Sequence, residues 1–260
     1  MVSTPFFLDT PAGRIFAIHH RPAPGMPVRG QVLLAPPFNE EMNRCRSMIT
    51  LQAQALAAIG YGTLVPDLLG TGDSEGEHVD GRWSAWLDNL AAAKAWLDSQ
   101  PGGCQVLWGI RLGAVLAVQL HARLADGRIG LLLWQPVADG KTHLTQFFRV
   151  RIAAAMDRPD LPKETAATMR ATLAAGTPVE VAGYALHPAL TATIDDLRLA
   201  DLVPAAGARL LWLENTTAER PELTPATQAL LARWPGPGCQ ASAQGFQGPR
   251  GDLFDGAQAQ

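Results

Sequence analysis

One arginine occupies a position where the sequence leaves little room for a side chain. Arg111 is the centre of Gly109-Ile110-Arg111-Leu112-Gly113. This pentapeptide separates an apolar run that predicts a strand, Cys104–Trp108, from a helical pattern ending at Leu124. Glycines two positions either side of Arg111 indicate a turn so sharp that larger side chains would collide with neighbouring backbone. A cation in a first helical turn opposes the helix dipole by roughly 0.3–1 kcal/mol unless an anion is close. We therefore expect Arg111 to be paired.

The anion that pairs with Arg111 can come from the protein or from a ligand. The candidate carboxylates are Glu40, Glu41, Glu214 and Asp139. A bound carboxylate or phosphate is the alternative, because a guanidinium forms strong charge-assisted hydrogen bonds with either. An internal salt bridge that fills a closed pocket and a ligand-binding arginine both remain open at this point.

The same spacing is that of the G-x-S-x-G nucleophile elbow, in which a serine stands at the apex of a strand-to-helix turn. Such a serine needs an imidazole to take its proton and a carboxylate to orient the imidazole. Arg111 cannot attack, because its guanidinium stays protonated. Glu214, after a predicted strand over Arg209–Leu213, is the candidate acid, with Glu219 as a second choice. No histidine follows His187. The polar residues available at the base position are Gln244, Gln247 and Arg250.

The histidines do not restore a catalytic set by their positions in the sequence. We expect a solvent-exposed or structural role for each of the six, which are His19, His20, His78, His121, His143 and His187. A lid could bring only His143 and His187 over the site. No pair has the spacing of a metal motif, so we expect neither a metal nor a cofactor.

A second polar stretch follows the buried strand predicted at Gln31–Ala35. The segment Pro36 to Arg44 carries more charged and hydrogen-bonding groups than a plain connection needs. Open α/β sheets bind ligands at the carboxyl edge of their strands, where this segment would lie. A solvated loop that caps the next helix is the alternative. The predicted binding set is Phe38, Asn39, Glu40, Glu41, Arg111, Leu112 and Asp139.

Short strands alternate with amphipathic helices along the chain, which predicts a mostly parallel sheet with helices on both faces. Together with the elbow, this pattern predicts the α/β-hydrolase fold. Residues 142–187 show helical patterns and no strand signal, so they predict a helical lid inserted into a core formed by residues 1–141 and 188–260. The other predicted elements are an antiparallel pair at Phe6–Leu8 and Arg14–His20, strands at Gly62–Pro66, Gly130–Trp134 and Cys239–Ala243, and helices at Met48–Ile59, Arg111–Leu124 and Thr224–Trp234.

Composition limits the classes of partner and compartment. A net charge of −3 in 260 residues excludes the basic surface typical of nucleic-acid binding. No signal-peptide pattern and no apolar run of membrane-spanning length, roughly 20 residues, is present. The three cysteines, Cys45, Cys104 and Cys239, lack a C-x-x-C spacing and are expected to be free thiols. We expect a cytoplasmic protein.

The sequence resembles the exosortase A system-associated hydrolase 2 family of bacterial α/β-hydrolase-like proteins. The resemblance rests on four stretches and fades after about Gly236. They are Pro36-Pro37-Phe38-Asn39-Glu40-Glu41-Met42-Asn43, Pro66-Asp67-Leu68-Leu69-Gly70-Thr71-Gly72-Asp73-Ser74, Trp108-Gly109-Ile110-Arg111-Leu112-Gly113-Ala114 and Trp134-Gln135-Pro136-Val137. It implies a cytoplasmic protein, with a possible protein partner, in a system that sorts surface proteins and makes exopolysaccharide.

Two hypotheses of function follow. In the first, which we favour, the protein binds an anionic small molecule or a partner in a degenerate active-site cleft. In the second, it is a hydrolase or acyltransferase of the ester or thioester type that takes an acyl substrate and activates water with Glu214 or Glu40. A carboxylate base alone supplies only ~10²–10⁴-fold.

Overall fold

The structure, a computed structural model, describes residues 1–156, 163–216, 222–236 and 238–246. An antiparallel pair begins the sheet. β1 (Val2–Thr10) and β2 (Gly13–Arg21) pair along their whole length, from Val2 opposite Arg21 to Thr10 opposite Gly13. The alternation of buried and exposed residues along β2 is the period of two that a half-buried strand requires.

The remaining strands of this sheet run parallel to one another, as the sequence predicts. The further strands are β3 (Gly30–Ala35), β4 (Tyr61–Pro66), β5 (Cys104–Ile110), β6 (Gly130–Trp134), β7 (Val179–Val181), β8 (Tyr184–Leu186), β9 (Arg209–Asn215) and β10 (Gln240–Phe246). The eight-stranded sheet has the order β1-β2-β4-β3-β5-β6-β9-β10, and β7 pairs with β8 in a separate hairpin. In the sheet, β3 and β5 are direct neighbours, so the loops that follow them emerge side by side.

Helices cover both faces of the sheet. They are α1 (Glu40–Ala58), α2 (Trp83–Asp98), α3 (Leu112–Leu124), α4 (Gly140–Ala155), α5 (Ala166–Ala174), α6 (Pro188–Asp196) and α7 (Pro225–Leu231). On one face, Cys45 and Ile49 of α1 pack against Trp108. On the other face, Leu107 belongs to the larger core that includes α2 and α3. Leu107 and Trp108 are successive residues of β5, so the pleat directs them to opposite faces.

Most predicted elements differ from the structure at one or both ends, among them the first strand, which is Val2–Thr10 rather than Phe6–Leu8, and the last helix, which is Pro225–Leu231 rather than Thr224–Trp234. Helix α1 begins at Glu40 rather than at Met48, and the acidic side chains in its first turn favour that early start. Helix α3 begins at Leu112, with Arg111 as its N-cap residue. The last strand is Gln240–Phe246, which extends beyond the predicted Cys239–Ala243.

The predicted lid contains a strand pair, so the expectation of a purely helical insertion is wrong. Between α5 and α6, strands β7 and β8 form a hairpin with Val179 opposite Leu186. Its turn residues, Ala182 at φ 52° and Gly183 at φ 84°, both have positive φ. Positive φ at both central residues is the requirement of a type I′ hairpin turn. Each strand has only three residues, too short for an alternating pattern to stand out.

The chain enters and leaves this insertion at one place. The Arg198 guanidinium lies 2.9 Å from the Asp139 carboxylate, and the two residues also form an isolated antiparallel bridge. Backbone hydrogen bonds from Gly140 to Leu197 and from Leu199 to Ala138 extend the contact. We refer to these interactions as the Asp139–Arg198 clasp.

Helices in the described ranges are all too short or too polar to cross a membrane. Three of the histidines have the structural roles expected from the sequence. His121 is buried between the backbone of Ile129 and that of Ala205. His19 contacts the side chain of Gln31, and His20 contacts Ser3.

Candidate functional site

The turn at Arg111 has a strained backbone that its flanking glycines permit. Arg111 has φ 54° and ψ −120°, a conformation that few residues other than glycine adopt. A Cβ on Gly109 would collide with the backbone of Ala114, and a Cβ on Gly113 would collide with the carbonyl groups of Ala35 and Pro36. Strain of this kind amounts to about 1–3 kcal/mol and persists where the surrounding packing enforces it. The predicted reason for both glycines is confirmed.

The Arg111 side chain is paired, as the sequence predicts, and its partner is Glu41. Arg111 Nε donates to Glu41 Oε1 at 3.0 Å, and Nη1 donates to the backbone oxygen of Gln135 at 3.3 Å. The two side chains keep 17% and 24% of their surface exposed. The cation at the start of α3 thus has its counter-charge at the start of α1.

A second turn has the same backbone, and the sequence did not predict it. Asn39, between β3 and α1, has φ 50° and ψ −119°. It is only 4% exposed and makes no side-chain hydrogen bond to the backbone of its own helix. Because β3 and β5 pair with Ala35 opposite Gly109, the two turns lie next to each other. We refer to them as the Asn39 turn and the Arg111 turn.

His78 connects the Asn39 turn to the insertion. Its Nε2 lies 2.6 Å from the side-chain oxygen Oδ1 of Asn39, and its Nδ1 lies 2.9 Å from the backbone oxygen of Ala185 in β8. Tyr184 packs on the ring of His78, and its hydroxyl accepts from Asn43 at 3.1 Å. Burial lowers the pKa of His78. No local pattern indicated this role of His78, because its partners are distant in the chain.

His143, from α4, is the second imidazole at this place. Its ring is 5.8 Å from that of Phe38 and only 7% of the residue is exposed. Burial lowers the pKa of His143 to about 4, with Glu41 acting in the opposite direction and Arg111 adding to the decrease. His187, the other candidate from the lid, instead accepts from Ala189 at the start of α6. Only His143 of the two therefore reaches the charged pair.

Three buried polar atoms at the two turns lack a hydrogen-bond partner among the described residues. They are Nδ2 of Asn39, Oε2 of Glu41 and Nε2 of His143. A crevice lined by Asn39, Leu112 and apolar side chains that include Phe38 and Trp86 lies between the turns. Its cavity volume is about 10 Å³, which is room for about one water molecule. Buried polar atoms without partners are rare in folded proteins and indicate a place where water or a ligand binds.

No family model and no curated protein matches the sequence. Solved structures do match. Est1E from Butyrivibrio proteoclasticus with ferulic acid bound has a TM-score of 0.62 at 16% identity, over 92% of this chain and 88% of that chain. The alpha/beta hydrolase GrgF from Penicillium sp. sh18 has 0.61 at 16%, over 94% and 89%. XC6422 from Xanthomonas campestris, an a/b serine hydrolase without lid, has 0.57 at 17%, over 93% and 83%. This chain has the α/β-hydrolase fold.

The other predicted site residues lie apart from the Arg111 turn or contact other groups. Glu40 pairs with Arg44 at 2.6 Å. Asp139 belongs to the clasp and accepts from the backbone of Thr142 at 2.6 Å. Glu214, the predicted acid, is buried and accepts from the backbone of Thr224 at 3.2 Å. Gln244 lies in β10, and Glu219, Gln247 and Arg250 lie outside the described residues.

The Asp67 to Ser74 stretch stabilises a loop of the fold. Asp67 is buried, receives hydrogen bonds from Arg46 at 3.2 and 3.3 Å, and accepts from the Asp73 backbone at 3.0 Å. Ser74 donates to the backbone oxygen of Asp67 and accepts from the backbone of Phe16 in β2. These contacts give the Asp67 to Ser74 stretch a structural role. No cluster of histidine, cysteine and carboxylate groups that could hold a metal occurs in the described part of the chain.

Proposed function

We propose that the protein binds a small anionic molecule at the Arg111 guanidinium and does not hydrolyse esters through this turn. The observation that carries the proposal is a charged guanidinium at the elbow, where a serine hydrolase of this fold places its nucleophile. A guanidinium cannot attack a carbonyl carbon, whereas its planar set of N–H groups suits carboxylates and phosphates.

Arg111 keeps donors available for a ligand. A guanidinium has five N–H groups. The hydrogen bonds to described residues use Nε, toward Glu41, and Nη1, toward Gln135. The crevice is also lined by Leu112 and Gly113 at the start of α3, and the first amides of a helix have no intrahelical acceptor. Free amides together with the helix dipole favour an anion at this position.

Glu41 opposes anion binding and therefore provides a matched control. Its carboxylate neutralises Arg111 and repels a second anion. Glu41→Gln keeps the shape of the side chain and removes the charge. Charges ~4–6 Å apart interact by about 1 kcal/mol or more, so we expect this change to tighten anion binding about tenfold.

The test compares the affinities of acetate and inorganic phosphate for three proteins at constant ionic strength. These are the wild type, Glu41→Gln and Arg111→Ala, each titrated by calorimetry or NMR. We expect the affinity to be highest in Glu41→Gln and lowest in Arg111→Ala. Equal affinities in the wild type and Arg111→Ala would contradict the proposal.

A second candidate function is hydrolysis or acyl transfer of an ester or thioester by activated water. The observation that favours it is a pair of basic atoms, Glu41 Oε2 and His143 Nε2, that are buried without partners beside Arg111. Either atom could deprotonate water, a step that contributes ~10²–10⁴-fold. The amide of Leu112 could stabilise the oxyanion that forms. Of the bases that the sequence suggested, Glu40 pairs with Arg44. Glu214 accepts from Thr224 through Oε1, and its Oε2 is buried without a partner among the described residues.

Initial rates on short acyl nitrophenyl esters separate the two functions. We expect the wild type to be no faster than Arg111→Ala, and a fluorophosphonate probe to label no serine. A substantial wild-type rate that His143→Gln abolishes would instead establish the second candidate.

We also propose that the protein acts in the cytoplasm, in a system for surface-protein sorting or exopolysaccharide synthesis that includes a protein partner. The support is the family resemblance, together with cysteines that are free in the structure. Burial raises the pKa of Cys45 and of Cys104 to about 12, so neither thiol is reactive.

A further inference from the structure

Two helices of the core begin side by side, and neither start is capped by a side chain. Helix α1 follows Asn39 and helix α3 follows Arg111, and neither side chain bonds to the backbone of its own helix. Because Ala35 of β3 pairs with Gly109 of β5, the two helix N-termini are neighbours. The first amides of a helix have no intrahelical acceptor, and each N-terminus carries about half a positive charge. The two N-termini together therefore favour an anion.

The crevice lies at the junction of these two N-termini. It is lined by Asn39 and Met42 at the beginning of α1 and by Leu112 and Gly113 at the beginning of α3. Most of its other walls are apolar side chains, and charges and dipoles act more strongly in such surroundings than in water. Its volume of about 10 Å³ limits an occupant to about the size of one water molecule.

The side chain of Asn39 adds a hydrogen-bond donor to the helix amides. Its oxygen, Oδ1, accepts from His78 Nε2 at 2.6 Å, so that end of the amide is held against His78. Its nitrogen, Nδ2, is buried without a partner among the described residues, and the whole residue is only 4% exposed. Because Asn39 lines the crevice, the NH₂ group is the part of the amide that is available to an occupant.

The carboxylates at the beginning of α1 do not cancel this preference for an anion. Glu40 lies 2.6 Å from the Arg44 guanidinium, and Glu41 lies 3.0 Å from that of Arg111. Each negative charge is therefore offset by an arginine. Neither carboxylate lines the crevice.

We propose that the crevice binds a single chloride ion, which accepts from Asn39 Nδ2 and from the first amides of α3. A chloride ion accepts from several donors at once, whereas a water molecule also needs acceptors for its own two hydrogens. The side chain of Arg111 does not line the crevice, so this ion is distinct from the ligand proposed at the guanidinium. The chloride ion offsets the positive ends of two helices and connects the Asn39 turn to the Arg111 turn.

The experiment titrates sodium chloride and sodium iodide into the ¹⁵N-labelled full chain. Sulfate, which is too large for the crevice, keeps the ionic strength constant. We expect chloride to shift the backbone amide signals of Leu112 and Gly113 and the side-chain amide signals of Asn39, with saturation. Chloride should bind at least about tenfold tighter than iodide, because the crevice holds only a small ion. Adsorption of halides to an apolar surface has the opposite order.

Asn39→Asp tests the donor with a matched control. Aspartate has the same shape and tolerates positive φ, but it replaces the free NH₂ group by a negatively charged acceptor. We expect it to weaken chloride binding more than tenfold. Asn43→Asp makes the same change one turn further along α1, at an exposed position, and should retain chloride. Asn39→Gly, which suits the positive φ, removes the donor without adding a charge and should weaken binding about tenfold.

A double variant separates this ion from the ligand at Arg111. Glu41→Gln combined with Arg111→Asn removes both charges of the ion pair, so acetate binding should be lost and chloride binding should stay within about threefold. Loss of chloride in the double variant would place the ion at the guanidinium and refute the crevice site. Amide signals that chloride does not shift, tighter binding of iodide, or equal chloride affinity in Asn39→Asp and Asn43→Asp would also refute it. Weak acetate binding by the wild type would count against the proposed function alone.

Discussion

The Asn39 turn and the Arg111 turn share one backbone conformation and differ in how their side chains are satisfied. Both residues have φ near 50° and ψ near −120°. Each stands between a strand and the helix that follows it, and the two strands, β3 and β5, are neighbours in the sheet. Arg111 makes an ion pair with Glu41 and a bond to a backbone oxygen. Asn39 contacts His78 through one end of its amide, and the other end has no partner among the described residues.

This difference shows where the protein supplies a charged partner and where it leaves a buried polar atom without one. Strain of about 1–3 kcal/mol persists at both turns, so packing rather than a side chain holds the backbone in place. At the Arg111 turn Glu41 supplies the counter-charge. At the Asn39 turn Nδ2 of the amide is buried without a partner among the described residues.

The largest expected effect comes from the packing that holds the two turns together. In Gly113→Ala, the new Cβ meets the carbonyl groups of Ala35 and Pro36, which cannot move without displacing β3. We expect a loss of at least about 3 kcal/mol in the free energy of unfolding, measured with urea. Alanine is otherwise the better helix former by about 1 kcal/mol, so a stabilised protein would show that the turns are not in contact.

Gly130→Ala is the control for this substitution. Its Cβ would have no neighbour closer than 3.7 Å, and its φ is not positive. We expect its stability to lie within about 0.5 kcal/mol of the wild type.

Acid should weaken the fold through the imidazoles at the two turns. The pKa of His143 is about 4 in the folded protein and 6.5 in the unfolded chain. Only the unfolded chain therefore takes up the proton between these values, and stability present above pH 6.5 is lost as the pH falls towards 4. The shift corresponds to about 3 kcal/mol.

Urea unfolding between pH 7.5 and 4 measures this loss. His143→Gln should reduce it by most of that amount, and His187→Gln, at a partly exposed position, should change it less. The lowered pKa of His78 acts in the same direction. An unchanged pH dependence in His143→Gln would mean that His143 is not buried at the Arg111 turn in solution.

The smallest expected effect is the difference in stability between two variants, Arg111→Gly and Asn39→Gly, in which glycine replaces the side chain at the apex of each turn. Glycine removes the backbone strain at both positions. In Arg111→Gly the relief of strain is outweighed by an unpaired Glu41, and we expect a net loss of about 1 kcal/mol. In Asn39→Gly only one hydrogen bond is lost, and we expect stability within about 0.5 kcal/mol of the wild type. If the order of the two variants is reversed, the Arg111–Glu41 pair contributes less than the Asn39–His78 contact.

The sequence predicted the Arg111 turn and missed the Asn39 turn for a physical reason. Glycine is required at 109 and 113 because neighbouring backbone approaches too closely there for a Cβ. The pair of glycines therefore marks the turn in the sequence. The segment from Pro36 to Asn39 has no glycine, so its composition does not indicate that Asn39 has a positive φ. Asparagine tolerates positive φ better than most residues, but it is also common in ordinary loops.

Contacts between residues that are far apart in the chain could not be predicted from the sequence either. Strand positions followed from apolar runs, because burial on both faces of a parallel sheet requires them. The link from His78 to Asn39 and to Ala185 depends on where the insertion folds back, which no local pattern encodes. Helix geometry explains why Arg111 pairs with Glu41 and not with Glu40. Successive residues of a helix point about 100° apart, so only one of the two can face Arg111.

The Asp139–Arg198 clasp makes the insertion a replaceable unit in evolution and in engineering. Because the chain leaves and rejoins the core at hydrogen-bonded neighbours, a short peptide could join Ala138 to Leu199 without altering the register of β6 or β9. Insertions of other lengths could be grafted at the same junction. The insertion supplies His143 and the carbonyl group beside His78, and its apolar side chains, among them Leu144 and Phe148, belong to the main core. An exchange at this junction would therefore change the site and would need a replacement that covers the same apolar surface.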